Sequence, residues 1–396
     1  MQTTLQKGVP IEVRDKIARM GLLHEIFQSL DLTETQLNTA RDRYEAVGIW
    51  LASDDDPVLK LASIYPQGSV ALGTATRPIR GNEFDVDLVC FLLGLTTATD
   101  PASVKALIGR RLRQETRYAA MLEEKPRCWR LNYSGQFHLD IAPSIANPRC
   151  ANGGELVPDK KLRQWKATNP RGYRRKFEQY ASLMPSISFG FAEARARAGI
   201  EPFPNDTGAK RLLPFAVQMC KRYRDIYFLD RDPALAPVSV ILTTLIAWSY
   251  ARCAQSASYP SELDFVIDVV RRMPEFIVRE NRDRAIYYSI PNETTEGENF
   301  AEKWNQDSRL AASFFEWHQG LALMLGAFNE ARGVDKVGKV LSVAFGESAV
   351  GTALARWTNS VTTARTGAAL SVVPGVGLVA GHTTGARVPH NTFFGR

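Results

Sequence analysis

Two aspartates, Asp85 and Asp87, stand one residue apart inside the apolar run "FDVDLVCFLL" at 84–93. The run has the length, the composition and the flanking turn residues of a β-strand. Because residues i and i+2 of a strand point to the same face, we expect the two carboxylates to lie side by side. On a largely buried sheet two such charges repel each other and lose their hydration, so the fold has to provide a counter-charge.

A divalent cation would supply that counter-charge, since hard oxygen ligands suit Mg²⁺. The alternatives are that the pair caps a sheet edge or forms salt bridges with nearby arginines. The turn Gly68–Ser69 favours the metal, because it follows a short apolar segment and such turns bind phosphate through backbone N–H groups. Asp140, in the apolar strand "FHLDIAPS", adds a third carboxylate. Three carboxylates can hold two Mg²⁺ ions about 3.5–4 Å apart for phosphoryl or nucleotidyl transfer.

The pattern of elements predicts an α+β fold with two lobes. In residues 1–204 helices alternate with strands, including a helix capped by Thr33 and Gln36 and a β-hairpin around Ser134–Gly135 that ends at Pro143. In residues 205–350 apolar side chains recur at helical spacing. Residues 351–396 contain no Asp or Glu and are rich in Gly, Thr and Ala, which predicts a flexible tail. We therefore expect a catalytic lobe, a helical lobe and a tail with these three boundaries.

Charge and cysteine content narrow the class of protein. The formal net charge of +7 suits a partner that is a nucleotide or nucleic acid but does not require one. The five cysteines are scattered without a C-x-x-C pair, which predicts a reducing compartment, no disulfide framework and no structural zinc. The longest apolar stretch, "APVSVILTTLIAW", holds a serine and two threonines, so we expect a buried helix rather than a membrane span, and no signal peptide.

The order of the motifs, Gly-Ser, then Asp-x-Asp, then a lone Asp, resembles the polymerase-β-like nucleotidyltransferase superfamily. The stretches "PQGSVALGTATRP", "EFDVDLV" and "HLDIAPS" resemble the cGAS/DncV-like nucleotidyltransferases (CD-NTases) of bacterial anti-phage (CBASS) systems. "AVQMCKRYRDIYF", "VSVILTTLIAWSY" and "PNETTEGENFAEKWN" are similar to later segments of the same family, although in the last of them Pro precedes Asn. The resemblance runs over residues 30–345.

The resemblance implies a two-lobed enzyme that joins nucleoside triphosphates, ATP among them, into cyclic di- or trinucleotides in the cleft. A ribose hydroxyl of one nucleotide attacks the α-phosphorus of another, pyrophosphate leaves, and repetition of the step closes the ring. By the same resemblance, two Mg²⁺ ions, or Mn²⁺ in their place, are held by the catalytic residues Asp85, Asp87 and Asp140. The triphosphate is implied to contact Gln67, Gly68, Ser69, Lys221 and Ser239.

Several of these residues have a structural alternative. Lys221 lies off the apolar stripe of its helix, where a lysine is commonly solvated. Ser239 lies in a first helical turn, where a hydroxyl often caps the backbone, and Gln67 can serve only to shape the turn. Arg77 and Arg80 are interpreted as loop charges rather than phosphate clamps. The basic stretches "KKLRQWK" and "NPRGYRRKF" are interpreted as solvated faces rather than nucleic-acid surfaces.

The amino-acid sequence alone leaves two other functions open. One is a linear nucleotidyltransferase, such as a 2′-5′ oligoadenylate synthase or an RNA-tailing enzyme. The other is a catalytically silent nucleotide-binding regulator, against which the three intact aspartates argue.

The expected partners follow from the resemblance. They are nucleoside triphosphates, an effector reached through the diffusible product, and a ubiquitin-transfer-like enzyme that conjugates the tail ending in "HNTFFGR". The chain has no His/Cys zinc insertion, so activation by double-stranded DNA is not expected. The expected location is the bacterial cytoplasm, without a membrane.

Overall fold

The computed structural model describes residues 11–79, 83–159, 163–189, 212–282, 285–366, 370–373, 377–380 and 386–387. Within these ranges the chain forms a mixed β-sheet with helices packed against it, followed by a largely helical lobe. The predicted two-lobed α+β class is confirmed.

The sheet places the aspartate-bearing strands at its centre. Its strand order is β1-β2-β5-β4-β3, with β6 paired to β5 and β7 paired to β6. The strands β2 and β5 run parallel to each other, and every other pairing in this sheet is antiparallel. The bounds are β1 Ser63–Gln67, β2 Phe84–Phe91, β3 Leu122–Glu124, β4 Trp129–Tyr133, β5 Phe137–Ala146, β6 Glu155–Asp159 and β7 Gln164–Thr168.

Helices cover one face of this sheet. The helix Glu34–Ala52 begins with the predicted capping box between Thr33 and Gln36. Two further helices, Pro101–Arg113 and Thr116–Met121, follow in the chain, and Glu115 caps the second one with its side chain. The apolar residues that these helices share with the sheet form one core, which includes Val47, Leu51, Leu88, Ile108, Leu131 and Leu139.

The hairpin around Ser134–Gly135 is confirmed, with Gly135 at φ 73° in the turn. Its predicted end at Pro143 is wrong, since β5 continues to Ala146. The pairing of β5 with β4 ends at Ile141, and its pairing with β6 begins at Ile145. Pro143 lies between these two ladders, where its missing N–H removes no hydrogen bond from either.

The second lobe is built from helices around a separate apolar core. Its members include Leu213, Leu245, Phe265, Trp317 and Leu341. The first helix of the chain also buries Met20, Leu23 and Ile26 in this core, not in that of the sheet. The helices are Ile11–Leu30, Pro170–Ala181, Leu212–Tyr227, Ser239–Ser256, Glu262–Arg272, Ser308–Glu330, Val334–Phe345 and Glu347–Thr366. Short strand pairs join Ser186–Phe189 to Ser258–Ser261 and Val278–Arg282 to Ala285–Ser289.

Regular structure continues beyond the predicted start of the tail. The helix Glu347–Thr366 crosses residue 351, and Leu370–Val373, Gly377–Ala380 and Ala386–Arg387 pair as strands. The boundary predicted at residue 351 thus falls inside a helix, and the domain boundaries stay predictions.

One stretch of the described residues, Pro233–Ser256, is long and apolar enough to cross a membrane by length and composition. Because 61% of its most apolar window is buried inside the protein, it has the character of the core helix that the sequence predicted.

Candidate active site

The register of β2 and β5 brings the three predicted carboxylates together. Asp87 lies directly beside Asp140 on the neighbouring parallel strand, and Asp85 lies on the same face two residues earlier. Phe84, Val86 and Leu88 point into the core, as the alternation of the strand predicted. The side chain of Asp85 is 55% exposed, whereas that of Asp140 is 16% exposed.

The Gly-Ser turn lies against this cluster. Strand β1 pairs with β2 so that Gln67 faces Asp87, and the short helix Gly68–Ala71 begins at the next residue. Gly68 has φ +66°, and a Cβ placed on it would lie 2.1 Å from Oδ2 of Asp87. Only glycine fits there, because the position combines left-handed backbone with a close approach to a carboxylate.

The pKa of the Asp87 carboxyl group is strongly raised. Burial raises its pKa to about 7, and the neighbouring charges of Asp140 and Asp85 act in the same direction. Arg130 and Lys221 oppose this shift without cancelling it. Burial beside two other carboxylates therefore disfavours the ionised form of Asp87.

Arg130 contacts the cluster directly, and the sequence analysis did not identify it. Its Nε donates to Asp140 Oδ1 at 2.6 Å, and its Nη2 donates to Asp140 Oδ2 at 2.8 Å and to Asp85 Oδ1 at 3.1 Å. The signal was present in the sequence, because the hairpin turn at Ser134–Gly135 places Arg130 opposite Asp140.

His138 is a second site residue that the sequence analysis missed. It lies beside Asp85 in the parallel register. Its Nε2 is 2.7 Å from Glu83 Oε2, and its Nδ1 is 3.4 Å from Asp85 Oδ1. The imidazole thus lies between two carboxylates.

Lys221 faces the cleft and not solvent. It is 6% exposed, so its interpretation as a solvated lysine is wrong. Its Nζ donates to Thr74 Oγ1 at 3.0 Å, and the N–H of Thr74 donates to the carbonyl of Ser69. Burial lowers the pKa of Lys221 to about 8, and the charge of Arg224 lowers it further, while Asp225 and Asp87 raise it.

Ser239 opens the helix Ser239–Ser256, but Val238 is its N-cap and no side chain caps it. The hydroxyl of Ser239 instead accepts a hydrogen bond of 2.9 Å from Arg224 Nη1. Gln67 is the N-cap residue of the Gly-Ser helix and makes no capping bond with its side chain.

Of the other basic residues considered in the sequence, some make structural contacts and others line the cleft. Arg77 holds its loop to the first helix by donating to the carbonyl of Asp31, as a loop residue would. Arg80 lies outside the described residues. Part of the two basic stretches faces the cleft, since Lys166, Arg171 and Arg174 line it.

All predicted site residues except Asp140 line one cleft of about 1120 Å³ between the lobes. Its walls include Gln67, Gly68, Ser69, Asp85, Asp87, Lys221 and Ser239. Asp140 lies outside the lining, with both carboxylate oxygens bonded to Arg130. Among the described residues, no group of three or more His, Cys, Asp or Glu side chains is arranged to hold one metal ion.

Residues 21–180 match the family described as "Second Messenger Oligonucleotide or Dinucleotide Synthetase domain" (SMODS). The chain is also 31% identical over 341 residues to a c-di-GMP synthase of Roseivirga ehrenbergii. The aligned region covers 85% of this chain and 84% of the relative. The chain belongs to the CD-NTase family. It is therefore a nucleotidyltransferase of the cyclic oligonucleotide synthase type, as the motifs predicted.

Solved CD-NTase structures share its fold. The Bradyrhizobium diazoefficiens CD-NTase CdnG in complex with GTP superposes with a TM-score of 0.64 at 20% identity, over 86% of this chain and 99% of that one. Escherichia coli CdnC with ATP gives 0.56 at 14% identity, over 84% of this chain and 97% of that one. At these identities the likeness concerns the fold, and the roles of individual residues stay predictions.

The donor atoms of the cluster fit a hard divalent cation. All three side chains offer carboxylate oxygens, which Mg²⁺ prefers, and burial raises the pKa of Asp87, a shift that a bound cation would oppose. The cation that the chain itself supplies is Arg130, which contacts Asp85 and Asp140 but makes no hydrogen bond to Asp87.

Proposed function

We propose that this CD-NTase joins two nucleoside triphosphates into a cyclic dinucleotide in the cleft. The observation that carries the proposal is the parallel register of β2 and β5, which sets Asp87 beside Asp140 next to the Gly68–Ser69 turn. The cleft, at about 1120 Å³, exceeds the range of roughly 300–1,000 Å³ usual for single small-ligand sites. Its size therefore suits two nucleotides held together.

The residues of the chain have separate tasks in this proposal. Gly68 lets the backbone approach the donor phosphates, and the N–H groups that follow it bind them. Lys221 supplies positive charge to the triphosphate from the helical wall, while Ser239 and Gln67 contact it from either side. His138 and Arg130 orient the carboxylates of Asp85 and Asp140.

Asp85, Asp87 and Asp140 would hold two Mg²⁺ ions, with Mn²⁺ as a substitute. When bound, such ions lower the pKa of the attacking hydroxyl and neutralise charge on the leaving oxygens. The reaction then forms one P–O bond to the ribose and breaks one P–O bond to pyrophosphate in each of its two steps.

The relatives guide the choice of bases. The curated relative is named c-di-GMP synthase, and CdnG is described with GTP, so we propose GTP as the first substrate to test. CdnC is described with ATP, and the adenine-containing product predicted from the family resemblance remains the alternative.

The biological setting is proposed from the family resemblance alone. The product would activate a downstream effector in bacterial anti-phage signalling in the cytoplasm. Conjugation of the C-terminus by a ubiquitin-transfer-like partner also stays a proposal, because residues 388–396 lie outside the described part of the chain.

A product assay tests the proposal. The purified protein is incubated with ATP, GTP, CTP and UTP and with Mg²⁺, treated with phosphatase, and its products are identified by mass spectrometry. We expect a phosphatase-resistant cyclic dinucleotide that the double variant Asp85→Asn/Asp87→Asn does not make. Only phosphatase-sensitive products would favour the linear nucleotidyltransferase, and no product with any nucleotide would favour the silent regulator.

A further inference from the structure

Arg130 forms a fork on Asp140, one of the three carboxylates that are proposed to hold the two ions. Its Nε and Nη2 each bond one oxygen of Asp140, at 2.6 and 2.8 Å. A bidentate arginine–carboxylate pair is among the strongest hydrogen-bonded ion pairs in proteins. Both oxygens of Asp140 are therefore committed to a residue of the same chain.

The fork is held in place by the sheet. Arg130 and Asp140 face each other on the antiparallel pair β4 and β5, and the side chain of Arg130 is 20% exposed. The hydrogen bonds that Arg130 donates to Asp140 raise the pKa of Arg130 above its usual range, so this cation keeps its proton. Arg130 can leave Asp140 by rotation of its side chain but not by losing its charge.

The hold of Arg130 on Asp85 is weaker. It consists of one hydrogen bond of 3.1 Å from Nη2, which is shared with Asp140. Asp85 is also more exposed than Asp140 and lies in the cleft lining, which Asp140 does not. The two carboxylates thus differ in how readily an incoming cation reaches them.

We infer that Arg130 is a positioning residue that occupies Asp140 before the metal does and competes with the metal for this carboxylate. The inference rests on the proposed function, in which Asp140 is a metal ligand. Asp85 and Asp87 are then open to a cation at once, whereas Asp140 joins only when the Arg130 fork opens. Arg130 thereby lowers the metal affinity of the nucleotide-free protein and keeps the three carboxylates from repelling one another.

Metal binding by the nucleotide-free, full-length protein tests the inference without recourse to activity. Mn²⁺ is titrated into the protein and free Mn²⁺ is followed by electron paramagnetic resonance. We expect Arg130→Met to bind at least one Mn²⁺ about tenfold more tightly than the natural protein, because one competing charge-assisted ion pair is removed. Arg130→Lys keeps the charge but cannot fork two oxygens, so we expect tightening by about threefold.

Arg127→Met is the matched control. Arg127 is a cleft-lining arginine three positions away, and its ion pair is with Asp159 and not with the three aspartates. The control removes the same unit of charge, and we expect its Mn²⁺ affinity to stay within about twofold of that of the natural protein. The melting temperature of each variant in EDTA and in Mn²⁺ checks folding, and we expect Mn²⁺ to raise it most in Arg130→Met.

The outcomes separate this inference from the proposed function. Tighter binding in both Arg130 variants supports the fork as the competitor. Equal tightening in Arg130→Met and Arg127→Met means that only net charge matters and overturns it. Tightening in Arg130→Met but not in Arg130→Lys means that the charge at this position, and not the fork, competes with the metal, which also overturns it. Unchanged affinity in all variants overturns it while leaving the metal site intact. If neither the natural protein nor Arg130→Met binds Mn²⁺, the metal site of the proposed function fails as well.

Discussion

The cleft has two walls, one formed by the sheet and one by the helical lobe. The sheet wall carries clustered carboxylates, whereas the helical wall carries basic side chains. On the sheet wall, the register of β2 and β5 crowds Asp85, Asp87 and Asp140 together, with Arg130 as the cation in direct contact. On the helical wall, Lys221 and Arg224 contact oxygen atoms of the protein. Lys221 donates to Thr74, and Arg224 pairs with Asp225 at 2.6 Å.

The two walls also differ in the direction of their pKa shifts. Crowding and burial raise the pKa of Asp87 to about 7 on the sheet wall, and burial lowers that of Lys221 to about 8 on the helical wall. Each shift opposes the charged form that the proposed function needs. A divalent cation at one wall and a triphosphate at the other would favour both charged forms, so their binding should stabilise the folded protein.

The largest effect is expected from Asp87→Asn, which should change activity and stability in opposite directions. Loss of a residue that only orients a metal ligand costs about 10–100-fold, so loss of a ligand itself should lower product formation by at least about 100-fold. The folded-state pKa of about 7 lies above the model-peptide value of 3.8. The unfolded chain therefore releases this proton first, and the metal-free protein loses stability as pH rises from about 4 to 7.

At pH 8 in EDTA, Asp87→Asn should thus raise the free energy of unfolding, by up to about 4 kcal/mol if the full shift applies. Urea denaturation measures this change. Asp85→Asn is the control, because its exposed carboxylate is expected to give a much smaller gain. An equal gain in both variants would show that burial of Asp87 is not the cause.

A second prediction concerns the contact between the Gly-Ser turn and Asp87. In Gly68→Ala the new Cβ would meet Asp87 Oδ2 at 2.1 Å, with φ at +66°. We expect product formation to fall about 30- to 100-fold, since a misplacement of about 1 Å at a reacting centre costs about 10²-fold.

Gly73→Ala provides the comparison. Gly73 has a similar φ of +64° but nothing within 4 Å of an added Cβ. Both variants should lose about 1–2 kcal/mol of stability from the left-handed backbone, but only Gly68→Ala should lose most of its activity. Similar activity losses in the two variants would mean that backbone strain, and not the contact with Asp87, causes the loss.

The sheet wall could be predicted from sequence because its geometry is local. A strand period of two fixes the face of Asp85 and Asp87, and a short hairpin fixes the strand of Asp140. The fork of Arg130 follows from the same hairpin register, so it could have been predicted from the sequence, although it was not.

The helical wall could not be predicted in the same way. Whether Lys221 is solvated or buried depends on the loop of Thr74, which the packing of the two lobes places against it. The apolar stripe of the helix at Leu212–Tyr227 indicates only the side that faces its own core. Likewise, the hydroxyl of Ser239 bonds Arg224 from a preceding helix, a contact between segments that helix periodicity does not report.

The last prediction uses the pH dependence of nucleotide binding to test the role of Lys221 on the helical wall. Because that pKa is about 8 in the folded protein, the ammonium group loses its proton above this pH and attracts the triphosphate less. The KM for the nucleotide should therefore rise roughly tenfold between pH 7.5 and pH 9.5, with a smaller change in kcat. In Lys221→Arg the guanidinium stays charged throughout, so the KM should be nearly constant over this range.

Lys221→Met completes the series, since it should show a raised KM that no longer changes with pH. The titration of the nucleotide base and of any bound metal is common to all three proteins, so only the difference between their pH profiles reports on Lys221. If the natural protein and Lys221→Arg lose affinity in parallel as the pH rises, Lys221 does not hold the triphosphate. The helical wall would then contribute to the cleft through packing, and the sheet wall alone would carry the chemistry.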